Sequence, residues 1–308
     1  MASTRTSIAN IQLDAYAINA SGPYCTSIDE LEIIAHSGSA AVMMKSCTIE
    51  QRLGNEEPRF AQLPYGAIQC MGLPNLGYNA YMQFAYLLQE LGKPIIASVA
   101  GFSPGEYETM VDAFNTVPVD LIEVNLSCPN IEGKPQAAYD FEQAEHILKL
   151  ISHSKTPLGL KLPAYYDQSH HEQMARLILK YGISFISCIN SIGNSLAIDT
   201  ETESSVIKPK KGFGGLCGRY IKPIALGNVR TFYGLLNGQV SIFGVGGISS
   251  GKDAFEFLLA GADAVQSAAV FEKQGISCFS RINSELNQIL DSKGYSSVQE
   301  AKGMLRYA

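Results

Sequence analysis

Apolar residues along the chain gather into short β-prone runs separated by helix-length stretches, and this two-part pattern repeats from one end to the other. The runs are AINASG at 17–22, SAAVMMKS at 39–46, PIIASVAG at 94–101, VDLIEVNLS at 119–127, PLGLKLP at 157–163, ISFISCINS at 183–191, VSIFGVGG at 240–247 and ADAVQS at 262–267. They are apolar at successive positions rather than alternating, as strands covered on both faces are. Between them, YDFEQAEHILKLISHS and SSGKDAFEFLLAGA carry helical spacing, the second opening on serines suited to capping and stopping at Gly261. Eight strands joined by right-handed crossovers predict an α/β fold, either a (β/α)8 TIM barrel or an open doubly wound sheet. The barrel is the expectation, because polar residues and glycines cluster just after the runs, where barrel chemistry sits. Two interruptions, roughly 47–80 and 191–223, are rich in Gly, Pro and Asn and predict loops inserted over the C-terminal mouth. No second boundary is visible, so residues 1–308 read as a single barrel domain.

Composition narrows the class. A hydrophobic share of 46% against 17% charged residues supports a large core and excludes a disordered, highly charged chain. The formal charge of −6 opposes broad attraction to phosphate backbones, so no nucleic-acid partner is expected. No apolar stretch approaches about 18 residues, and the N-terminal segment lacks the apolar core of a secretory leader, so no membrane partner is expected either. Seven cysteines scattered without CxxC spacing argue against a disulfide framework and fit a reducing cytoplasm. The histidines assemble no metal site: His170 and His171 are adjacent, and His36, His146 and His153 sit in polar helical segments, so all are expected in ordinary surface roles. GxSxG, HExxH and Walker A spacings are missing.

Chemistry-bearing residues stand at the ends of the runs. Lys45-Ser46 ends the second and Lys161 the fifth, and a lysine closing a buried run needs either a salt bridge or an anionic or carbonyl-bearing ligand. The fourth run ends in Asn125-Leu126-Ser127-Cys128-Pro129-Asn130, with Asn190-Ser191 closing the sixth. Amides that donate and accept together suit a ligand of alternating C=O and N–H groups. Cys128 is a candidate base or nucleophile if its thiolate is stabilised, against a free value of about 8.5. Gly246-Gly247 open a turn whose backbone N–H groups suit phosphate, although Gly244, Gly246 and Gly247 do not make a dinucleotide GxGxxG. Gly212-Phe213-Gly214-Gly215 beside Lys208, Lys210 and Lys211 reads as another glycine turn, ligand-binding or merely solvated.

Taken together, NASG at 19–22, KSCT at 45–48, MGLPNLG at 71–77, NLSCPN with GKPQAAYDFE at 125–142, KLPAYYD at 161–167, NSIGN at 190–194, IKPKKGFGGLCGRYIKP at 207–223 and GVGGISSGKDAFE at 244–256 resemble the class 1A dihydroorotate dehydrogenase family over nearly the whole chain. The resemblance implies a cytosolic homodimeric barrel that binds FMN at the strand C-terminal ends. It would oxidise (S)-dihydroorotate to orotate with fumarate as acceptor, giving succinate, in pyrimidine synthesis. It also implies that Cys128 removes the C5 proton while hydride leaves C6 for flavin N5, with Lys45 near flavin and substrate and Lys161 at the flavin N1/O2 edge. Gln69, Met71, Gly72, Leu73, Asn125, Asn130, Asn190 and Ser191 would surround the pyrimidine. Ala20, Ser21, Lys45, Ser46, Asn125, Lys161, Gly218, Gly246, Gly247, Ala268 and Ala269 would hold the cofactor.

The chain departs from that pattern in three places. Gln69 stands where the family has asparagine, one methylene longer, which is expected to shift substrate hydrogen bonds by roughly 1 to 3 kcal/mol. Ser267-Ala268-Ala269 follows Gln266 where a QxGT pattern is usual, removing a hydroxyl from the phosphate site. Glu56 replaces a common proline and is expected to loosen its loop. Two alternatives follow: a divergent FMN oxidoreductase acting on another cyclic amide, and a non-enzymatic paralogue with weakened FMN binding. A tRNA-directed flavin reductase is opposed by the negative charge.

Overall fold

The computed structural model describes residues 2–131, 133 and 135–308. All eight runs contain a strand: β1 (Ala17–Asn19), β2 (Val42–Met43), β3 (Ile95–Val99), β4 (Leu121–Asn125), β5 (Leu158–Leu162), β6 (Phe185–Cys188), β7 (Ser241–Val245) and β8 (Ala264–Ser267). They pair in parallel, in register, from β2 through β3 to β8 and on to β1. The seam between β1 and β2 is closed by a side chain: Asn19 accepts from Met43 N at 3.0 Å and donates to Met43 O at 2.8 Å. The result is a nearly closed (β/α)8 barrel.

Helices α1 (Ile28–Ala35), α2 (Tyr78–Gln89), α3 (Pro104–Phe114), α4 (Phe141–Ile151), α5 (Gln168–Lys180), α6 (Lys222–Leu236) and α7 (Gly251–Ala260) cross between consecutive strands. A short α8 (Ala269–Gln274) and a longer α9 (Ser277–Lys293) follow β8. Side chains at their starts satisfy the orphan amides: Asp140 accepts from Gln143 N at α4, and Ser250 from Asp253 N at α7. α7 stops at Gly261, whose φ of 113° carries the left-handed turn.

Strand alternation divides the barrel interior into layers. Ile18, Met43, Ile96, Leu121, Phe185, Phe243 and Ala264 form an apolar lower layer with Ile8 and Leu13 of an N-terminal hairpin that plugs the bottom. A Cβ at position 159 would run into the Phe185 ring, so a glycine there lets that ring fill the axis. Two residues further along β3, β4, β5, β6 and β8 the interior turns polar, with Ser98, Glu123, Lys161, Ser187 and Gln266 all buried.

The two interruptions do not remain separate loops. Ile192–Leu196, Phe213–Gly218, Gly66–Gln69 and Phe60–Leu63 pair antiparallel in that order, forming one sheet over the mouth. The expected glycine turn at 212–215 is therefore largely a strand, because Gly214 and Gly215 let backbone approach Gln69 closely. Glu56 pairs with Lys208 at 2.6 Å. His171 also departs from expectation: it is buried, with Nδ1 2.9 Å from Asp167 O and Nε2 3.1 Å from Asn228 Oδ1.

Candidate active site

The strand ends and the sheet above them enclose a cavity of about 750 Å³. That lies in the range of roughly 300–1,000 Å³ usual for ligand and cofactor pockets. Of the residues singled out from the sequence, Ala20, Ser21, Lys45, Ser46, Gln69, Met71, Leu73, Asn125, Cys128, Asn130, Lys161, Asn190, Ser191, Gly218, Gly246, Gly247, Ala268 and Ala269 line it. Gly72 does not. Its φ of 74° and the collision a Cβ would make with Asn55 Oδ1 make it the pivot of the turn between Met71 and Leu73. Lys134 of the GKPQ segment lies outside the described residues.

Asn125 closes β4 inside the barrel because it shares alternation with Glu123. Its Nδ2 donates to Ser46 Oγ at 3.2 Å, and its Oδ1 accepts from Ser127 N at 3.1 Å and lies 3.4 Å from Asn190 Nδ2. Ser127 Oγ donates to Lys161 O at 2.8 Å and so ties the Cys128 turn to β5. Gln69 joins the other half: Oε1 accepts from Asn130 Nδ2 at 2.9 Å and Met71 N at 3.1 Å, while Nε2 reaches Ser191 Oγ at 3.2 Å. This amide thus bridges Asn130 and Ser191 across the mouth.

Both lysines satisfy their charge without a salt bridge among the described residues. Lys45 Nζ donates to Gly22 O at 2.5 Å, and Lys161 Nζ to Gln266 Oε1 at 2.6 Å. Burial pushes the Lys161 amine below its ordinary value, against the opposing pull of Glu123 and Cys188. Two thiols line the cavity. Burial pushes Cys217 up to about 11, and its S–H is committed to Ala67 O at 3.3 Å. Cys128 stands half-buried on the turn after β4.

The pocket also holds buried polar atoms with no protein partner: Asn130 Oδ1, Glu123 Oε1 and Ser267 Oγ. Such atoms call for donors or acceptors from a ligand. Gly246 and Gly247 (φ 131° and 73°) bring bare backbone to the wall, and a Cβ on Gly247 would stand 2.8 Å from Gly218 O. Cations, amides and a backbone cradle around one roomy cavity fit a flavin with a planar ligand beside it. The sequence reading passed over Glu123, Ser187 and Gln266 as site residues. A carboxylate two places before Asn125 in an apolar strand was the available signal for the first.

Fold and pocket define a (β/α)8-barrel enzyme with its site at the strand C-terminal ends. Residues 3–290 match the protein family described as Dihydroorotate dehydrogenase. The chain is 45% identical to a probable dihydroorotate dehydrogenase A (fumarate) of Streptococcus pneumoniae serotype 4, over 100% of this chain and 99% of the relative. It is 46% identical to the dihydroorotate dehydrogenase (fumarate) of Lachancea kluyveri, over 94% and 93%. Crystallised DHODH of Eimeria tenella shares the fold, with TM-scores of 0.82 in complex with ferulenol and 0.84 ligand-free, at 19% identity. These cover 98% and 99% of this chain and 88% and 92% of the solved chains. The chain belongs to the dihydroorotate dehydrogenase family, a flavin-dependent one. Among the described residues no helix is long and apolar enough to cross a membrane.

Proposed function

We propose that this protein oxidises (S)-dihydroorotate to orotate and passes the electrons to fumarate, with FMN as cofactor, in the synthesis of pyrimidine nucleotides. The observation that carries the reading is the convergence of Cys128, Lys45, Asn125, Asn130, Asn190 and Ser191 on one cavity that also contains Lys161. When bound, FMN supplies a two-electron acceptor and donor shared by the two half-reactions.

Cys128 takes the C5 proton of dihydroorotate, a role a positioned base fills with a gain of about 10²- to 10⁴-fold. Asn125, Asn130, Asn190 and Ser191 orient the ring by matching its alternating carbonyl and N–H groups. Lys45 offers a cation to substrate and cofactor, and Lys161 supplies positive charge where the reduced cofactor carries negative charge. Backbone at Gly218, Gly246, Gly247, Ala268 and Ala269 would hold the phosphate, and the buried, unpartnered Ser267 Oγ would offer it a hydroxyl. Residues 1–308 act as one FMN-binding domain in a cytoplasmic homodimer. Exposed Leu196, Ile198 and Phe213 on the segments above the mouth offer apolar surface for the partner copy. Neither alternative, another cyclic amide or a non-enzymatic role, gains support from the site.

The test is an anaerobic half-reaction: dihydroorotate bleaches the flavin absorbance of the purified protein, and fumarate restores it. A yellow protein that dihydroorotate does not bleach overturns the substrate, and one that fumarate fails to restore overturns the acceptor.

A further inference from the structure

In the polar layer that floors the cavity, Glu123 is wholly buried on β4. Its Oε2 accepts from Ser187 Oγ at 2.5 Å and from Gln266 Nε2 at 3.0 Å. Gln266 Nε2 also contacts Ser187 Oγ at 2.9 Å, and Gln266 Oε1 accepts from Lys161 Nζ at 2.6 Å. A carboxylate on one side and an ammonium on the other fix the amide's orientation: its NH2 can face only the acceptor and its carbonyl only the cation. Carboxylate, amide and ammonium therefore form a chain across β4, β8 and β5, with Ser187 of β6 as a brace.

Stability alone does not account for this chain. The layer immediately below fills the same barrel with Leu121, Phe185 and Phe243. Well-packed hydrocarbon is often as stable as a buried ionic group or more so, since each buried charge costs several kcal/mol of desolvation. Lys161 reaches the carboxylate through Gln266 and is itself part of the cavity wall. Without the negative charge behind it, and with Gln266 free to turn its NH2 toward it, a buried amine holds its proton less tightly.

We propose that Glu123 is a positioning residue: through Gln266 and Ser187 it keeps Lys161 charged and aimed at the cofactor, and thereby sets the reduction potential of bound FMN. The proposal rests on the flavin reading above. It assigns the potential to a residue that need not touch the substrate.

The test measures the potential of FMN bound to the full chain against a redox dye, together with FMN affinity, for the parent, Glu123→Gln, Gln266→Met and the double variant. In Glu123→Gln the reduced-to-oxidised ratio at a fixed dye ratio is expected to fall at least tenfold, equal to about 30 mV for a two-electron couple. Gln266→Met is expected to shift it the same way. The double variant should shift no further than the larger single change, because both cut one chain. A ratio within twofold of the parent, or a higher one, in flavin-loaded Glu123→Gln overturns the proposal. If Glu123→Gln does not hold its flavin, Gln266→Met is read by the same criterion. A purely structural role would lower melting temperature and affinity while leaving the potential where it was. A parent chain that takes up no FMN overturns the cofactor reading instead.

Discussion

Replacing Gln69 by leucine tests whether the amide over the mouth organises the substrate site. Leucine keeps most of the volume and removes both polar atoms. Three contacts go: Asn130 Nδ2 and Met71 N lose a shared acceptor at 2.9 and 3.1 Å, and Ser191 Oγ loses its 3.2 Å neighbour. Asn130 is 4% exposed, so its freed donor cannot simply turn to water, and its Oδ1 already lacks a protein partner. Leaving one buried neutral donor unpaired costs about 1 to 3 kcal/mol. If the ordered positions of Asn130 and Ser191 are what orotate binds, that energy appears in affinity as roughly a 5- to 150-fold rise in Kd. Orotate titration by flavin absorbance reads the affinity directly, and FMN affinity serves as the control, expected to stay within about threefold because no cofactor contact is touched. An orotate Kd within twofold of the parent would falsify the idea that Gln69 acts by holding Asn130 and Ser191.

Other consequences are as definite. Cys128→Ala should slow flavin reduction by dihydroorotate by about 10²- to 10⁴-fold in anaerobic stopped flow while retaining FMN, and reduction at the parent rate removes Cys128 from the base role. Asp253 reports on acid stability. Burial alone would raise its carboxyl, but the Lys222 ammonium at 2.6 Å and bonds from Ser249 and Ser250 hold it below the ordinary value. A depressed carboxyl contributes stability that is complete above the unfolded value of about 3.9 and is lost as pH falls through the folded value. Asp253→Asn should therefore cost about 2 kcal/mol in urea unfolding at neutral pH, and the gap from the parent should close in acid. A gap unchanged well below pH 3.9 would sink that account.

Legibility in the sequence followed locality. The eight strands were readable because burial on both faces leaves an unbroken apolar run, and lysines or asparagines at the end of such a run have few places to be except the mouth. Lys45, Asn125, Lys161 and Asn190 were found this way. Glu123, Ser187 and Gln266 were missed for the opposite reason. Each lies inside a run, and only the pairing of β4, β5, β6 and β8 around one axis brings them within hydrogen-bond reach. Nor could the antiparallel pairing of Gln69 with Gly215 be read from segments so far apart, since neither shows which register the other will accept. His171 looked like a surface residue beside His170, and α5's rotation turned one inward and left the other exposed.

The amino-acid order by itself determined the alternation of strands and helices, the cap and stop of α7, and the family, because all of these depend on neighbours within a few residues or on motif strings. Tertiary structure alone decided that Gln69 would span Asn130 and Ser191, that the seam between β1 and β2 would close through Asn19, and that a buried carboxylate would stand behind Lys161. Those outcomes depend on distances between groups far apart in the chain, and such distances exist only once the barrel has closed.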